Sequence, residues 1–339
     1  MTISVAIATH NEEGNIKRTL KSVYSWVDEI VIVDGASTDK TIEVINQLEK
    51  TLLRQGSGRA SKIKIIQTDN PQIFHINKQK ALEKCKGDWI LQLDADEVVS
   101  KELKREIQNS ITKTSGVVTG LPGGGGLVPR SPKDEVVIDS PGVAETKFEK
   151  KRQPNVAFWI PRLNFFLGRP LRKGGLYPDY TIRLYKNGVA HFPCRTVHEQ
   201  VEVRRTDILS EAKDPNEIAA SSSTPSNDKK TGNGIGYLQA PLLHYPYPTF
   251  KEYLIKWHRY VALEAELLRK KGVRPSVVNF IKYVFVEPIK WFLLTYFRHK
   301  GFMDGLAGFV FSLFSALRFP MIYKNLRMSK NRTREQNSQ

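Results

Sequence analysis

The sequence predicts an α/β protein: a mostly parallel sheet flanked by helices, followed by an amphipathic, basic helical region. Three observations carry that prediction. Short β-branched runs alternate with helically spaced stretches through the first hundred residues. Two segments rich in Gly, Pro and Ser then break the alternation. Beyond Tyr237 the pattern turns to long apolar stripes with Lys and Arg beside them.

Residues 3–8, 30–33, 63–66 and 89–93 are short apolar or β-branched runs, as in strands buried on both faces. Between them Ile16, Leu20 and Val23 keep helical spacing after Asn11, which we expect to cap that helix. Ile42, Ile45 and Leu52 keep the same spacing after Ser37 and Thr38, and a shorter helix is expected over 76–84. Strand and helix in this order imply right-handed crossovers and a parallel sheet. Residues 115–155, with Gly123-Gly124-Gly125-Gly126, and 206–236, with a Ser-rich stretch, are expected as flexible insertions. The aromatic and Arg-rich 158–198 lies between them and belongs to the folded unit. We therefore expect one domain over 1–236 and a second, helical, over 237–339.

In that second region, 250–271 has a one-sided apolar stripe. Residues 277–297 are apolar but interrupted by Lys282, Glu287, Pro288 and Lys290, while 305–317 carries no charge between Asp304 and Arg318. Neither stretch holds the ~20 uninterrupted apolar residues of a spanning helix. Interfacial or re-entrant helices are expected, with a helical subdomain packed on the first domain as the alternative.

The net charge of +17 is regional. Residues 1–110 hold 16 basic and 16 acidic side chains, whereas 237–339 hold 17 and 6. A neutral first domain argues against nucleic acid as a partner, and a basic end interleaved with aromatics suits an anionic membrane surface. Two cysteines, Cys85 and Cys194, are too few for a disulfide framework, and no secretory signal opens the chain. We expect the cytoplasmic side of the inner membrane.

The strongest local signal is Leu93-Asp94-Ala95-Asp96-Glu97 after an apolar strand. Acids at i and i+2 share a face, so Asp94 and Asp96 can hold one cation together or divide cation and ribose. Asp34 ends its own strand, and Thr9-His10-Asn11-Glu12 follows the first, so three strand ends bring polar groups to the rim where open α/β sheets bind ligands.

In order and spacing, Ala8-Thr9-His10-Asn11-Glu12, Val33-Asp34-Gly35-Ala36-Ser37-Thr38-Asp39 and Gly87-Asp88-Trp89 through Glu97 resemble the family 2 glycosyltransferases of GT-A fold. Downstream, Pro161-Arg162-Leu163-Asn164, Gly174-Gly175-Leu176-Tyr177-Pro178-Asp179, Arg183-Leu184 and Val197-His198-Glu199 look like the subgroup with lipopolysaccharide-core glucosyltransferases of the WaaE/KdtX type. The resemblance implies that Thr9, Asn11 and Glu12 line a nucleotide pocket, Asp34 holds the base, Asp94 lies by the ribose, and Asp96 binds Mg²⁺ or Mn²⁺ at the diphosphate. It also implies an inverting transferase that uses a nucleotide-sugar donor, a UDP-sugar first, and a lipid-linked or lipopolysaccharide-type acceptor.

Inversion needs a general base opposite the leaving diphosphate. Asp179 is the first candidate and Glu199 the second, with His198 a diphosphate or metal contact. Arg162 and Arg183 belong to a basic cluster suited to the diphosphate, Lys78 is a further phosphate candidate, and His244 either closes the nucleotide side or packs. Each residue has a plainer reading: Asp179 as a turn cap, Glu199 as a partner of Arg183 or Arg195, His198 as a core histidine. Two other functions stay open at this point: a polyprenyl-phosphate glycosyltransferase, and a noncatalytic membrane-associated protein that binds sugar or nucleotide.

Overall fold

The structure is a computed structural model that describes residues 1–55, 60–114, 154–195, 200–204, 234–247 and 249–336. Its first half is the expected alternation: β1 (Ile3–Thr9), α1 (Ile16–Val23), β2 (Glu29–Gly35), α2 (Thr41–Gln55), β3 (Ile63–Thr68), α3 (His75–Lys84) and β4 (Trp89–Asp94). These strands lie parallel in the order β3-β2-β1-β4. Successive side chains of a strand point to opposite faces. Val5 and Ile7 thus pack with Ile16, Leu20 and Ile45 on one side of the sheet, while Ala6 and Val33 pack with Ala81 and Leu82 on the other. Burial on both faces is why these strands read as unbroken apolar runs.

After β4 the topology turns. A tight turn leads to β5 (Glu97–Val99) and α4 (Lys101–Thr114). The later strands are β6 (Ala157–Phe166), β7 (Arg169–Pro170), β8 (Asp179–Lys186), β9 (Ala190–His191), β10 (Glu202–Val203), β11 (Ile235–Tyr237) and β12 (Leu242–His244). β8 runs antiparallel between β4 and β6, and β12 sits between β6 and β5, parallel to the first and antiparallel to the second. The sheet is thus mixed, with its parallel half first.

Three expectations need correction. Asn11 does not cap α1: it has φ +55° and its side-chain oxygen accepts from the backbone N–H groups of Thr38 (2.7 Å) and Asp39 (3.3 Å). It thereby ties the loop after β1 to the loop that enters α2; α1 starts after Asn15, which makes no side-chain cap bond. Next, the sheet does not stop at 236. β11 straddles that boundary and β12 lies wholly beyond it, because both complete the hydrogen bonding of β6. Most of the two expected insertions lies outside the described residues, but Asn155 and 234–236 border or join the sheet.

Beyond residue 236, helix begins among the described residues at α5 (Phe250–Lys270), whose Thr249 cap accepts from the Glu252 N–H. A helical run from Val277 to Arg298 follows, made of α6 (Val277–Ile281), a π-helical stretch, α7 (Glu287–Phe292) and a second π-helical stretch. α8 (Gly305–Gln336) closes the chain. The third correction concerns length. A 3-10 turn and α8 fuse 305–317 into a longer helix, and among the described residues Gly301–Met328 is long and apolar enough to cross a bilayer, with 33% of its apolar stretch buried in the protein. The helical region packs on the sheet domain through Phe166 and Leu171, which are buried against Tyr253 and Ala307.

Candidate active site

The carboxyl ends of β1, β2 and β4 form one rim, with Thr9 opposite Asp34 and Ala8 opposite Asp94 in the ladders. Asp34 is buried and accepts from the backbone N–H (3.0 Å) and hydroxyl of Ser37, so it shapes the loop after β2. His10 donates through Nδ1 to the carbonyl of Gly35 at 2.7 Å, and the Glu12 N–H bonds the Thr41 hydroxyl at 2.7 Å. The loops after β1 and β2 are therefore laced into one wall. The hydroxyl of Thr9 is buried in that wall with no hydrogen-bond partner among the described residues. A buried hydroxyl without a partner is costly and suits a place that a ligand completes.

The two acids of the Asp94-Ala95-Asp96 turn do not share a strand face. β4 ends at Asp94, and Asp96 lies in the turn before β5. The Thr19 hydroxyl of α1 pins this turn by donating to the Ala95 carbonyl at 2.6 Å, and the Tyr245 N–H donates to the Asp96 carbonyl at 2.9 Å.

Their electrostatics differ as much as their positions. Asp94 is bracketed by Lys78 Nζ at 2.5 Å and Arg183 Nη2 at 2.6 Å, with Gln92 donating to Oδ1 at 3.1 Å. Burial opposes its ionisation, but the two cations outweigh burial and hold its carboxyl well below the usual range. Among the described residues the Asp96 carboxylate has one direct partner, His244 Nε2, at 3.4 Å from Oδ2, and the Lys256 charge adds a smaller pull. Burial again works against the charge, His244 outweighs it, and the carboxyl lies below its ordinary value. Glu12 faces the opposite way. Burial raises its pKa, Asp96 and Asp94 nearby raise it further, and only Asn15 and Lys256 pull it down. A knot of negative charge therefore gathers at Glu12 and Asp96, while Asp94 is neutralised.

Sequence reasoning missed Glu97, Gln92 and Lys256. Glu97 is fully buried; one oxygen accepts from the Asp94 N–H at 2.9 Å and the other from Arg183 at 2.7 Å. An acid in a short strand next to two others looks like a solvated turn, so no local pattern separates it. Arg183 is buried and its charge goes to Asp94 and Glu97, which makes it the support of Asp94 rather than an open cation. Arg162 bonds Asp179 through Nε (2.9 Å) and Nη2 (2.6 Å), and its Nη1 stands 3.9 Å from Glu97. Both bonds to Asp179 fall on Oδ2. Glu199 and His198 lie outside the described residues. His244 is the surprise: its Nδ1 donates to Asn164 Oδ1 at 2.6 Å, which leaves Nε2 toward Asp96. Cys85 is buried and its thiol is pushed up to about 12 by burial, consistent with a packing role.

A mixed sheet whose carboxyl rim presents acids and a laced two-loop wall has the form of an open α/β enzyme that takes its ligand at that rim. The chain belongs to the family described as glycosyl transferase family 2, whose model matches residues 4–180. It is a glycosyltransferase of GT-A fold, and the noncatalytic alternative falls away. An uncharacterized glycosyltransferase of Rickettsia bellii is 26% identical over 330 residues, covering 95% of this chain and 85% of the relative. The lipopolysaccharide core biosynthesis glycosyltransferase LpsC of Rhizobium meliloti is 24% identical over 324 residues, covering 94% and 88%. Among solved structures, S. aureus TarS 1-349 aligns over 99% of this chain and 92% of that chain at 16% identity, with a TM-score of 0.37, too loose a likeness to carry an argument.

Proposed function

We propose that the protein is an inverting, metal-dependent transferase of the WaaE-like subgroup. It would move a sugar from a nucleotide-diphosphate donor, a UDP-sugar first, to a lipid-linked or lipopolysaccharide-type acceptor at the cytoplasmic face of the inner membrane. One observation carries the reading: of the acids gathered at the rim, Asp94 is neutralised by two fixed cations, while Asp96 has a direct contact with one imidazole and only a weaker pull from Lys256. The kinship with LpsC supports a lipopolysaccharide-type acceptor.

The residues at the rim fit a divalent cation. His244, held through Nδ1 by Asn164, brings Nε2 to 3.4 Å from the Asp96 carboxylate, and Glu12 stands close enough to both Asp94 and Asp96 for their charges to raise its pKa. Among the described residues no group of three or more His, Cys, Asp or Glu could hold a metal by itself, so a cation here would need further oxygens, as from a substrate diphosphate and water. A carboxylate with an imidazole favours Mn²⁺ over Mg²⁺. When bound, the cation supplies charge neutralisation for the departing diphosphate. The protein's own residues do the rest. Thr9, Asn11 and the Asp34 loop seat the nucleoside, and Lys78 and Arg183 hold the Asp94 carboxylate rigid beside it. Asp179, with Oδ2 fixed by Arg162, is set to take the acceptor's proton on Oδ1.

The test is nucleotide release from a panel of UDP- and GDP-sugars, with and without Mn²⁺, in the presence of membrane lipid extract. One donor should respond, and only with extract present. Asp96→Asn should lower turnover about 100-fold or more with the fold unchanged. Turnover that survives both Asp96→Asn and chelation of divalent cations would refute the proposal. The polyprenyl-phosphate reading is kept because Arg169, Arg172 and Lys173 form an exposed basic loop after β6. Such an acceptor is already an anion, so activity that persists in Asp179→Asn would favour it.

A further inference from the structure

The helical run from Val277 to Arg298 carries an exposed row at every fourth position: Val277, Ile281, Phe285, Ile289, Leu293 and Phe297. All six are large and apolar, and all are at least 49% exposed. In a plain α-helix such a row cannot stay straight, because four residues turn about 400° and each step drifts ~40° around the axis. Here the α-turns alternate with the π-helical stretches Lys282–Val286 and Leu293–Arg298. A π-turn closes one residue later, so a step of four under-rotates and cancels the drift. The alternation keeps the six side chains in one line along the helix.

The neighbouring row, one residue on, places Lys282, Lys290 and Arg298 at the edge of this line, all exposed. On its other edge lie Phe280, Phe292 and Tyr296. The opposite face is turned into the protein, with Tyr283 and Thr295 buried and Trp291 packed on Phe319. We infer that this run is an in-plane membrane anchor that lies along an anionic lipid surface, with the apolar line sunk between headgroups and the cations at their level. The inference rests on the proposed membrane location and deepens it. A second copy of the chain is a poorer occupant, since a self-complementary face would bring two rows of Lys and Arg together.

A spanning arrangement is also disfavoured. α8 is held against α5 by contacts that include the Trp257 indole donating to the Phe314 carbonyl at 3.0 Å. α5 carries charged residues from Lys251 to Lys270, which a bilayer around α8 would drag into hydrocarbon.

The anchor is also tied to the acceptor side. The N–H groups of Arg172 and Lys173 donate to the Asp304 carboxylate at 3.2 and 2.8 Å, and Gly174 N–H donates to the His299 carbonyl at 2.9 Å. Gly175, at φ +77°, sits where a Cβ would meet the His299 ring at 2.7 Å. The basic loop that leads to Asp179 is thus clamped to the end of the anchor, which holds Arg169, Arg172 and Lys173 at the surface where an anionic lipid headgroup would lie.

The test is flotation of the full chain with vesicles of phosphatidylcholine alone or mixed with phosphatidylglycerol, which needs neither donor nor turnover and so is independent of the Asp96→Asn result. The wild type should float with the mixed vesicles. Phe285→Ser with Ile289→Ser should lower the bound fraction roughly tenfold or more, with an unchanged thermal midpoint because both side chains are exposed. Lys282→Glu with Lys290→Glu should lower binding to the mixed vesicles and leave the phosphatidylcholine control unaltered. A wild type that stays unbound, or an apolar double variant that floats like it, would overturn the inference. So would a dimer in size-exclusion chromatography that the apolar double variant converts to monomer.

Discussion

Asp94 and Asp96 stand two residues apart and meet opposite fates. The carboxylate of Asp94 completes a buried network with Lys78, Arg183, Gln92 and the Glu97-held backbone, so its loss takes the ion-pair partner of Lys78 and one of the two acids on Arg183. Asp94→Asn should cost about 3 kcal/mol, the usual penalty for breaking one side of a buried ion pair. The pH dependence has a definite sign. Because this carboxyl titrates below its ordinary 3.8 in the folded protein, the unfolded chain takes up the proton first as pH falls. Its stabilisation is whole above about pH 4 and is lost as pH drops toward the folded value. Urea unfolding of the wild type between pH 7 and pH 3 should show that loss, and Asp94→Asn should flatten it. Glu12, with its pKa raised, has the opposite sign: its contribution favours the folded state at low pH and fades as pH rises through the raised value.

Among the elements, the turn between β4 and β5 depends on a helix far earlier in the chain. Thr19 sits on the buried face of α1 with its hydroxyl on the Ala95 carbonyl. Thr19→Val keeps the shape and removes the bond, so the protein should lose about 1–2 kcal/mol. Turnover should fall more than donor binding, since Asp96 would lose its fixed placement while the nucleotide wall stays intact. Thermal unfolding and a separate determination of kcat and KM would check both statements. Close approach at the start of α8 is built on glycine in the same spirit: a Cβ on Gly308 would collide with the Gly301 carbonyl oxygen, which only a residue without one avoids. Strands β1 to β4 and their helices were legible because both periods are clean there. β6, β8 and β12 were not, since an aromatic-rich stretch has no alternation, and their partners lie far along the chain.

For the whole molecule, the helical region is part of the catalytic body rather than an appendage. Phe166 and Leu171 are each only 2% exposed, and their cover comes from α5 and α8. Removing residues 249–339 should uncover both, at roughly 1.5–3 kcal/mol apiece, and take Lys256 away from Glu12 and Asp96. We expect such a truncation to show a lower thermal midpoint and poor soluble yield, measured beside the full chain. Fold class, the parallel half-sheet, the acidic rim and the basic end were all determined by the sequence alone, because periodicity, strand-end position and charge distribution are local properties of the chain. Which acid would be neutralised by two cations and which would meet an imidazole was decided only by the tertiary structure. Lys78, Arg183 and His244 come from separate elements, and in a low-dielectric interior it is distance in space, not along the chain, that sets what a carboxylate becomes.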